Sequence, residues 1–322
     1  MMAATAVRRV RVSRRIMEAD DIVGLDLVDP NGHALPPFAA GAHIDLHLPG
    51  GFVRQYSLCN DSSERHRYRI AVLRDAHSRG GSLAVHALET GAEVDISDPR
   101  NHFPLAHDAT DSVLFAGGIG ITPILCMAAR LANINASFRL HYCTRSPSRT
   151  AFLGTIRDGD LGAYTRFHFD DGPAEQKLDM PGSIGVPGQG RHLYVCGPTG
   201  FMERVLEVAR NLGWPEERLH REYFAATPIE SEQDGSFEVQ IASTGRVIAV
   251  AAQQSVVEAL AASGIDIPTS CEQGVCGTCL VRVLEGTPDH RDMYLTAQEH
   301  ARGDQFTPCC SRARSARLVL DL

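Results

Sequence analysis

Four cysteines near the carboxyl end constrain this chain more than any other feature. Cys271, Cys276 and Cys279 lie in the segment SCEQGVCGTC, and Cys309 follows thirty residues after the third of them. A C-x4-C-x2-C spacing with a distant fourth cysteine is the pattern by which plant-type [2Fe–2S] centres are held. Three thiolates converge from one loop on two irons, and the fourth arrives from elsewhere. The cysteines therefore predict a [2Fe–2S] cluster and one-electron chemistry.

The alternatives to a cluster are a structural zinc site and a disulfide framework. Zinc sites usually pair two C-x2-C knuckles, and the chain contains a single one, between Cys276 and Cys279. Gly274 and Gly277 in the same loop permit a tight turn that aims backbone N–H groups at cluster sulfurs. The pattern favours the cluster, although the adjacent Cys310 leaves the choice of fourth ligand open on spacing alone.

Composition excludes several classes of protein. The 322 residues are 43% hydrophobic and 22% charged, which is typical of a globular chain with two or three domains. A net charge of −8 disfavours nucleic acid and anionic membranes as partners. Charges run through the amino-terminal region and no long apolar run is present, so we expect neither a signal peptide nor a membrane helix. Nine cysteines without a secretory signal predict a reducing, cytoplasmic location.

The pattern of predicted strands, turns and helices changes along the chain and predicts three domains. Residues 1–107 read as short alternating strands separated by Gly and Pro, which predicts an antiparallel β-barrel. Residues 108–228 alternate strand, glycine turn and helix, as in SVLFAGGIGITPILCMAARLA, which predicts an α/β domain with a parallel sheet. Residues 229–235 are polar and turn-rich and are the predicted linker. Residues 236–322 combine a hairpin, a helix and the cluster loop, which predicts a compact α+β domain.

Two segments of the barrel region have the chemistry to bind a phosphorylated heterocycle. An arginine can pair with phosphate while a nearby tyrosine covers a planar ring, and the RQYS strand supplies Arg54, Tyr56 and Ser57. A glycine turn that opens a helix can bind anions through its backbone N–H groups, and the second segment supplies Gly80, Gly81 and Ser82. Taken singly, each segment also fits an ordinary exposed strand or a serine-capped turn.

Two glycine-containing turns follow buried strands in the α/β region. The first, GGIGITP, opens a helix and supplies Gly118, Gly120 and Thr122. A glycine turn between a strand and a helix lets the backbone approach a pyrophosphate closely, as in dinucleotide-binding folds. The turn does not, however, match the G-x-G-x-x-G motif of those folds. The second, CGPTGFM, supplies Cys196, Gly197 and Pro198. Ligands of open α/β sheets gather at such strand ends, although Cys196 could equally be a small buried hydrophobe.

The chain contains five motifs in the order RQYS, RGGS, GGIGITP, CGPTGFM and the cluster loop. These motifs and their order resemble those of phthalate dioxygenase reductase-type proteins. The resemblance covers essentially the whole chain, and within the family it is greatest to the reductase components of vanillate O-demethylases and similar two-component oxygenases. It implies FMN in the barrel, NADH in the α/β domain and the [2Fe–2S] cluster in a C-terminal β-grasp ferredoxin domain. The choices of FMN over FAD and of NADH over NADPH rest on the resemblance alone.

The resemblance also implies roles for individual residues. It implies that the RQYS residues contact FMN and that the Gly80–Ser82 turn lies near its phosphate. It puts Gly118 and Thr122 beside NADH and Cys196 near the nicotinamide. Phe224 corresponds to the aromatic residue that covers the flavin face where nicotinamide must later sit. The implied catalytic residues are thus Cys196, Thr122 and Phe224, and Cys309 rather than Cys310 is the implied fourth ligand of the cluster.

The implied function is that of an electron-transfer enzyme. Hydride passes from NADH to flavin, and single electrons then pass through the cluster to a terminal oxygenase, which we expect to be a Rieske-type non-haem iron enzyme. The alternatives are a reductase for another acceptor, such as a cytochrome P450, and a non-enzymatic ferredoxin-like carrier. Arg312, Arg314 and Arg317 follow the last ligand and predict either a positive docking patch or simply a solvated strand.

Overall fold

The protein is described here by a computed structural model that covers residues 7–76, 78, 80–224 and 234–322. The chain divides into two compact units, Met1–Glu222 and Tyr223–Leu322. Most of the predicted linker, residues 229–233, lies outside the described residues. The domain boundaries that the sequence predicts therefore stay predictions.

The first sheet of the first unit is antiparallel. Its elements are β1 (Val7–Ala19), β2 (Ile22–Val28), β3 (Ala42–Leu48), β4 (Phe52–Ser57), β5 (Tyr68–Leu73), α1 (Gly81–His86), β6 (Glu93–Ser97) and β7 (Arg100–Asn101). The strand order is β4-β3-β6-β1-β2-β5, with β7 paired to β3, and all pairings are antiparallel. Because β4 and β5, at the two ends of this order, contact each other, the sheet curls into the barrel that the sequence predicts.

The second sheet of the first unit is parallel. Its elements are β8 (Asp111–Gly117), α2 (Ile121–Asn133), β9 (Ser137–Thr144), α3 (Leu153–Arg157), β10 (Thr165–Phe169), α4 (Met180–Ile184), β11 (Arg191–Cys196), α5 (Thr199–Asn211) and β12 (Leu219–Glu222). The order is β10-β9-β8-β11-β12, and each pairing is parallel. The chain winds outward in opposite directions from β8 and β11, so the crevice where ligands bind in such sheets lies at their carboxyl ends.

One apolar core continues from the parallel sheet into the barrel strands. Ile124 and Met127 on α2 are fully buried and belong to the same cluster as Ile22 of β2 and Phe103, which follows β7. A separate cluster, which includes Leu25, fills the barrel itself. The shared core explains why the two sheets form a single compact unit, because apolar surface of each is removed from water by the other.

The second unit is an α+β domain. Its elements are β13 (Phe237–Ile241), β14 (Val247–Val250), α6 (Val256–Ala262), β15 (Val281–Glu285), β16 (Pro288–Asp289), α7 (Ala297–Arg302), β17 (Gln305–Phe306), β18 (Arg312–Ala313) and β19 (Arg317–Leu320). The mixed sheet has the order β14-β13-β19-β15-β17, with β13 parallel to β19. The predicted hairpin is confirmed as β13–β14.

The local sequence explains where α6 begins. Ser255 accepts a hydrogen bond from the backbone N–H of Glu258, and the Glu258 carboxylate accepts one from the backbone N–H of Ser255. This capping box satisfies N–H groups that a helix otherwise leaves without partners.

In the described part of the chain, no helix combines the length and apolar character that a bilayer crossing requires.

Candidate functional site

The predicted cluster ligands lie together in the second unit. Cys271, Cys276 and Cys279 are buried in the loop between α6 and β15, and Cys309 is partly buried after β17. Cys271 is hydrogen-bonded to Cys276, and Cys309 is hydrogen-bonded to both Cys279 and the adjacent Cys310. The hydrogen bond from Cys271 lowers the pKa of Cys276 to about 5. A thiolate is the form that binds iron, so the loop is chemically suited to a cluster.

Two glycines of the cluster loop adopt a backbone conformation that other residues rarely reach. Gly274 has φ +70° and Gly277 has φ +68°, both in the left-handed region. A Cβ on Gly277 would lie 2.2 Å from the ring of Tyr294, and a Cβ on Gly274 would lie 2.4 Å from the Cys310 sulfur. The loop therefore needs glycine at both positions for backbone conformation and for space.

Backbone N–H groups of the loop point at ligand sulfurs. The N–H of Gln273 donates to the Cys271 sulfur at 3.3 Å, and the N–H of Thr278 donates to the Cys276 sulfur at 3.4 Å. The Thr278 hydroxyl also lies 3.2 Å from the Cys276 sulfur. Such donors stabilise negative charge on a cluster and tune its potential.

Cys309 and Cys310 have different surroundings. Cys309 is hydrogen-bonded to Cys279 and to Cys310, whereas Cys310 is hydrogen-bonded to Cys309 but not to Cys279, and its sulfur lies 3.3 Å from the Thr307 hydroxyl and against Gly274. This arrangement supports Cys309 as the fourth ligand, an assignment that stays a prediction.

The structure brings the two predicted phosphate-binding segments of the barrel together. The guanidinium of Arg54 on β4 lies 5.6 Å from the centroid of the Phe52 ring. A Cβ on Gly81 would lie 2.7 Å from the Arg54 Cγ, and Gly80 has φ +98°. The turn and the arginine therefore lie side by side, with a positive charge next to a glycine backbone. This combination fits a phosphate group.

The remaining barrel residues have defined surroundings. Burial raises the pKa of Tyr56 to about 12, so its phenol stays protonated. The Ser82 hydroxyl accepts a hydrogen bond from the N–H of Asp75 at 3.2 Å, which ties the preceding loop to the turn. The Ser57 hydroxyl donates to Glu222 at 3.1 Å, a contact between residues that are far apart in sequence.

The carboxyl ends of β8 and β11 approach each other at backbone distance. A Cβ on Gly120 would lie 2.3 Å from the carbonyl oxygen of Cys196, and a Cβ on Gly197 would lie 2.9 Å from the Cα of Gly117. Gly118 has φ +53° and open space where its Cβ would be. Close packing therefore requires glycine at positions 120 and 197. At Gly118 the positive φ favours glycine, and the absence of a side chain leaves the backbone open to a ligand.

Two further predicted residues begin the helices that follow these strands. Thr122 on α2 is 2% exposed, and its hydroxyl donates to the carbonyl oxygen of Ile119 at 3.1 Å. Pro198 is the residue before α5 and touches the site of a Cβ on Gly117. Both residues border the crevice, and their contacts with a cofactor stay predictions.

Glu222 is a residue of the site that sequence reasoning missed. It ends β12, beside Cys196 in the parallel register. Burial raises its pKa to about 8, and the hydrogen bond from Ser57 partly opposes this shift. Burial and the nearby Glu222 carboxylate both raise the pKa of Cys196. The available signal was an acidic residue at the end of a strand that leads to the same sheet edge as Cys196.

Comparison with known proteins assigns the family. Residues 239–314 match the 2Fe-2S iron-sulfur cluster binding domain. Over 314 residues the chain is 56% identical to the vanillate O-demethylase oxidoreductase of Pseudomonas sp. (strain HR199 / DSM 7063), covering 97% of this chain and 99% of that protein. A solved structure of phthalate dioxygenase reductase, described as modular for electron transfer from pyridine nucleotides to [2Fe-2S], matches with 39% identity and a TM-score of 0.80 over 98% of each chain. This chain belongs to the phthalate dioxygenase reductase family.

The family assignment confirms the resemblance that the motif order indicates, and with it the multidomain fold class. The same architecture also occurs inside a longer protein. An intact type IV self-sufficient cytochrome P450 monooxygenase matches with 40% identity and a TM-score of 0.81, over 98% of this reductase chain and 41% of that one.

Phe224 is described with the second unit of the reductase. It is 38% exposed and is the second residue of that unit, after Tyr223. Its predicted place over the flavin stays a prediction.

The three arginines of the predicted docking patch have different surroundings in the reductase. Arg312 is 8% exposed and donates hydrogen bonds to three backbone carbonyl oxygens. Arg314 pairs with Asp289 at 3.3 Å, and Arg317 pairs with Glu238 at 2.6 Å. Arg312 is therefore unavailable to a partner, whereas docking through the exposed Arg314 and Arg317 stays a prediction.

The glycines at the crevice differ in a testable way. We expect Gly120→Ala to destabilise the protein by about 3 kcal/mol or more, because its methyl group overlaps backbone atoms that cannot move aside. Gly118→Ala should cost about 1–2 kcal/mol, since it meets only the left-handed conformational penalty. Thermal unfolding of both variants checks this order, and equal shifts in midpoint would contradict it.

Glu222 predicts a pH dependence of stability. Its pKa is about 8 in the folded chain against an ordinary value of 4.5, so between these values the folded state keeps a proton that the unfolded state releases. Raising the pH through this window therefore destabilises the wild-type chain. We expect Glu222→Gln to lose this component, measured as the difference in thermal midpoint from pH 5 to 8.5. The exposed Glu217→Gln is the matched control and should follow the wild type.

Proposed function

We propose that this chain is the NADH-dependent reductase component of a two-component oxygenase, passing electrons from NADH through FMN and a [2Fe–2S] cluster to a terminal oxygenase of the Rieske type. The observation that carries the proposal is the presence, on one chain, of a four-cysteine site, three of whose cysteines lie in one loop, and of a glycine-lined crevice at the β8–β11 switch point. An isolated electron carrier would need only the first. Genes for aromatic catabolism are the expected context.

The flavin, when bound, supplies the conversion between a two-electron hydride and single electrons. The chain binds and orients it. Arg54 and the Gly80–Ser82 turn supply a positive charge and backbone N–H groups for its phosphate. Tyr56 and Ser57, farther along β4, face the ring system in this proposal.

The crevice holds the nicotinamide cofactor. The first turn of α2, after Gly118 and Gly120, offers N–H groups and the positive end of a thirteen-residue helix to the pyrophosphate. Cys196 and Glu222 lie at the same sheet edge, on neighbouring strands. With a pKa of about 8, Glu222 carries its proton at neutral pH. A neutral carboxyl avoids placing a buried negative charge beside the reacting groups.

Four cysteines would hold the cluster. Cys271, Cys276, Cys279 and Cys309 would together supply the donor set of four thiolates that a [2Fe–2S] cluster requires. The N–H donors from Gln273 and Thr278 remain available to ligand sulfurs.

A second candidate acceptor is a cytochrome P450. The specific observation that favours it is the matching segment within a self-sufficient cytochrome P450 monooxygenase. The chain of events up to the cluster is the same for both acceptors. A cytoplasmic location is also proposed, because nine free thiols are suited to a reducing compartment.

Anaerobic titration with NADH tests the proposal. Visible absorption should show flavin bleaching, and low-temperature EPR should then show the rhombic signal of a reduced [2Fe–2S] centre. Mixing the reduced protein with a purified Rieske oxygenase or a P450 then identifies the acceptor by which one is reoxidised with substrate turnover. Flavin bleaching without the EPR signal would contradict the proposed path through the cluster.

A further inference from the structure

A second group of metal-binding side chains lies in the ferredoxin-like unit, apart from the cluster ligands. Among the residues that the structure describes, His290, Asp292 and His300 bring one nitrogen or oxygen atom each within 4.8 Å of one another. The Asp292 Oδ1 lies 3.6 Å from the His290 Nδ1 and 3.2 Å from the His300 Nε2. The two imidazole rings stack with centroids 4.3 Å apart. Two imidazoles and one carboxylate therefore place potential ligand atoms in one small cluster.

His290 is the unusual member of this group. Its side chain is 9% exposed, yet within the described residues its Nε2 has no hydrogen-bond partner, and its Nδ1 meets the Asp292 carboxylate only at a long 3.6 Å. A buried polar group without a partner loses its hydration without compensation.

The carboxylate of Asp292 is held in place. Its side chain is fully buried, and its Oδ2 accepts hydrogen bonds from the N–H groups of Tyr294 and Leu295 at 3.2 and 2.8 Å. The Ser311 hydroxyl donates to Oδ1 at 3.4 Å. With Oδ2 occupied by backbone donors, Oδ1 is the oxygen directed at the imidazoles. Such outer hydrogen bonds orient a carboxylate for metal binding.

We propose that His290, Asp292 and His300 bind a single Zn²⁺ ion, at a site separate from the iron–sulfur cluster. Two imidazole nitrogens and one carboxylate oxygen are a donor set that zinc accepts, with water as a fourth ligand. His300 is the ring that turns toward the ion, because its side chain is 31% exposed and the χ2 torsion of histidine is broad. The ion gives the His290 ring a bonding partner for a nitrogen that otherwise lacks one.

The site connects α7 to the segment that contacts the cluster loop. His300 lies in the last turn of α7, and the N–H of Met293 donates to the carbonyl oxygen of Gly274 at 3.0 Å. Asp292 itself lies 3.1 Å from the position of a Cβ on Gly274. Zinc therefore stabilises the segment between Asp292 and α7. This segment packs against the cluster loop at Gly274.

Calorimetric titration of the full, cofactor-loaded protein with zinc chloride tests the site, after dialysis against a chelator. We expect one zinc ion per chain, with the iron content unchanged by elemental analysis. His300→Gln and His290→Gln should each weaken zinc binding about 100-fold, because each removes one of three ligands that share the binding free energy. His66→Gln, which alters a histidine with a 71% exposed side chain, is the matched control and should bind zinc as the wild type does.

A second measurement covers any variant that folds poorly. Zinc should raise the thermal midpoint of the wild type and of His66→Gln, but not that of His300→Gln, since only the folded state with a complete site gains from the ligand. Absence of a saturable site, equal binding by His300→Gln, or zinc uptake matched by iron release would each overturn the proposal. These outcomes do not depend on the proposed function, because none of them measures electron transfer.

Discussion

Replacing Cys276 with serine is expected to abolish electron delivery to the oxygenase while leaving NADH-dependent reduction of a dye intact. Cys276 is buried, its pKa is lowered to about 5 by its hydrogen bond to Cys271, and it receives the N–H of Thr278. A serine hydroxyl at this position remains protonated and cannot replace the thiolate. Coupled turnover should fall by roughly 100-fold or more, because the cluster is the path for single electrons.

The matched control for this prediction is Cys310→Ser. Cys310 is also partly buried and lies next to the fourth predicted ligand, but its sulfur lies against Thr307 and Gly274. We expect Cys310→Ser to keep two irons per chain and to keep coupled turnover. Iron analysis and EPR of the reduced protein separate the two variants. Loss of the cluster in Cys310→Ser, or its retention in Cys276→Ser, would contradict the ligand assignment.

Replacing Arg54 with alanine is expected to weaken flavin binding by roughly 10- to 100-fold, from the loss of a charge-assisted hydrogen bond worth about 1.5–3 kcal/mol. Its guanidinium lies beside the Gly80–Gly81 turn, where a phosphate would meet both groups. Fluorescence titration of the flavin-free protein with FMN measures the change. The fold should be retained, because the Arg54 side chain is only partly buried on β4.

Two further variants sharpen the interpretation of Arg54. Arg54→Lys keeps the charge but loses the planar fork of donors, so its FMN affinity should lie between those of the wild type and Arg54→Ala. Arg15→Ala removes an exposed arginine of the same barrel that donates to the carbonyl oxygen of His86, and it should bind FMN normally. Unchanged FMN affinity in Arg54→Ala would place the phosphate elsewhere.

Much of the fold was predictable because its signals are local. The alternation of buried valines and exposed arginines along β1, the glycine turn after β8 and the capping box of α6 each depend on residues a few positions apart. The cluster loop is the strongest case, since three predicted ligands and two obligatory glycines lie within nine residues, 271–279. Such patterns constrain backbone conformation and chemistry before any tertiary contact forms.

The parts of the site that were missed depend on distant contacts. Glu222 was not predicted, because a single acidic residue at the end of a strand is common and carries no signal of function. Only its contact with Ser57 shows that it belongs to the site. The surroundings of the predicted arginine patch also depend on distant contacts. Charge clustering along the chain does not reveal that Arg312 is buried or that Arg317 faces Glu238 across neighbouring strands.

By itself, the amino-acid sequence determined the cluster spacing, the order of barrel, parallel sheet and ferredoxin-like domain, and the family. Only the tertiary structure decided which residues meet: Ser57 with Glu222, Cys309 rather than Cys310 with Cys279, and His300 with Asp292. The physical reason is that spacing and periodicity report interactions along one segment. Burial, pKa and metal-binding geometry instead arise from side chains that separate strands and loops bring within a few ångströms.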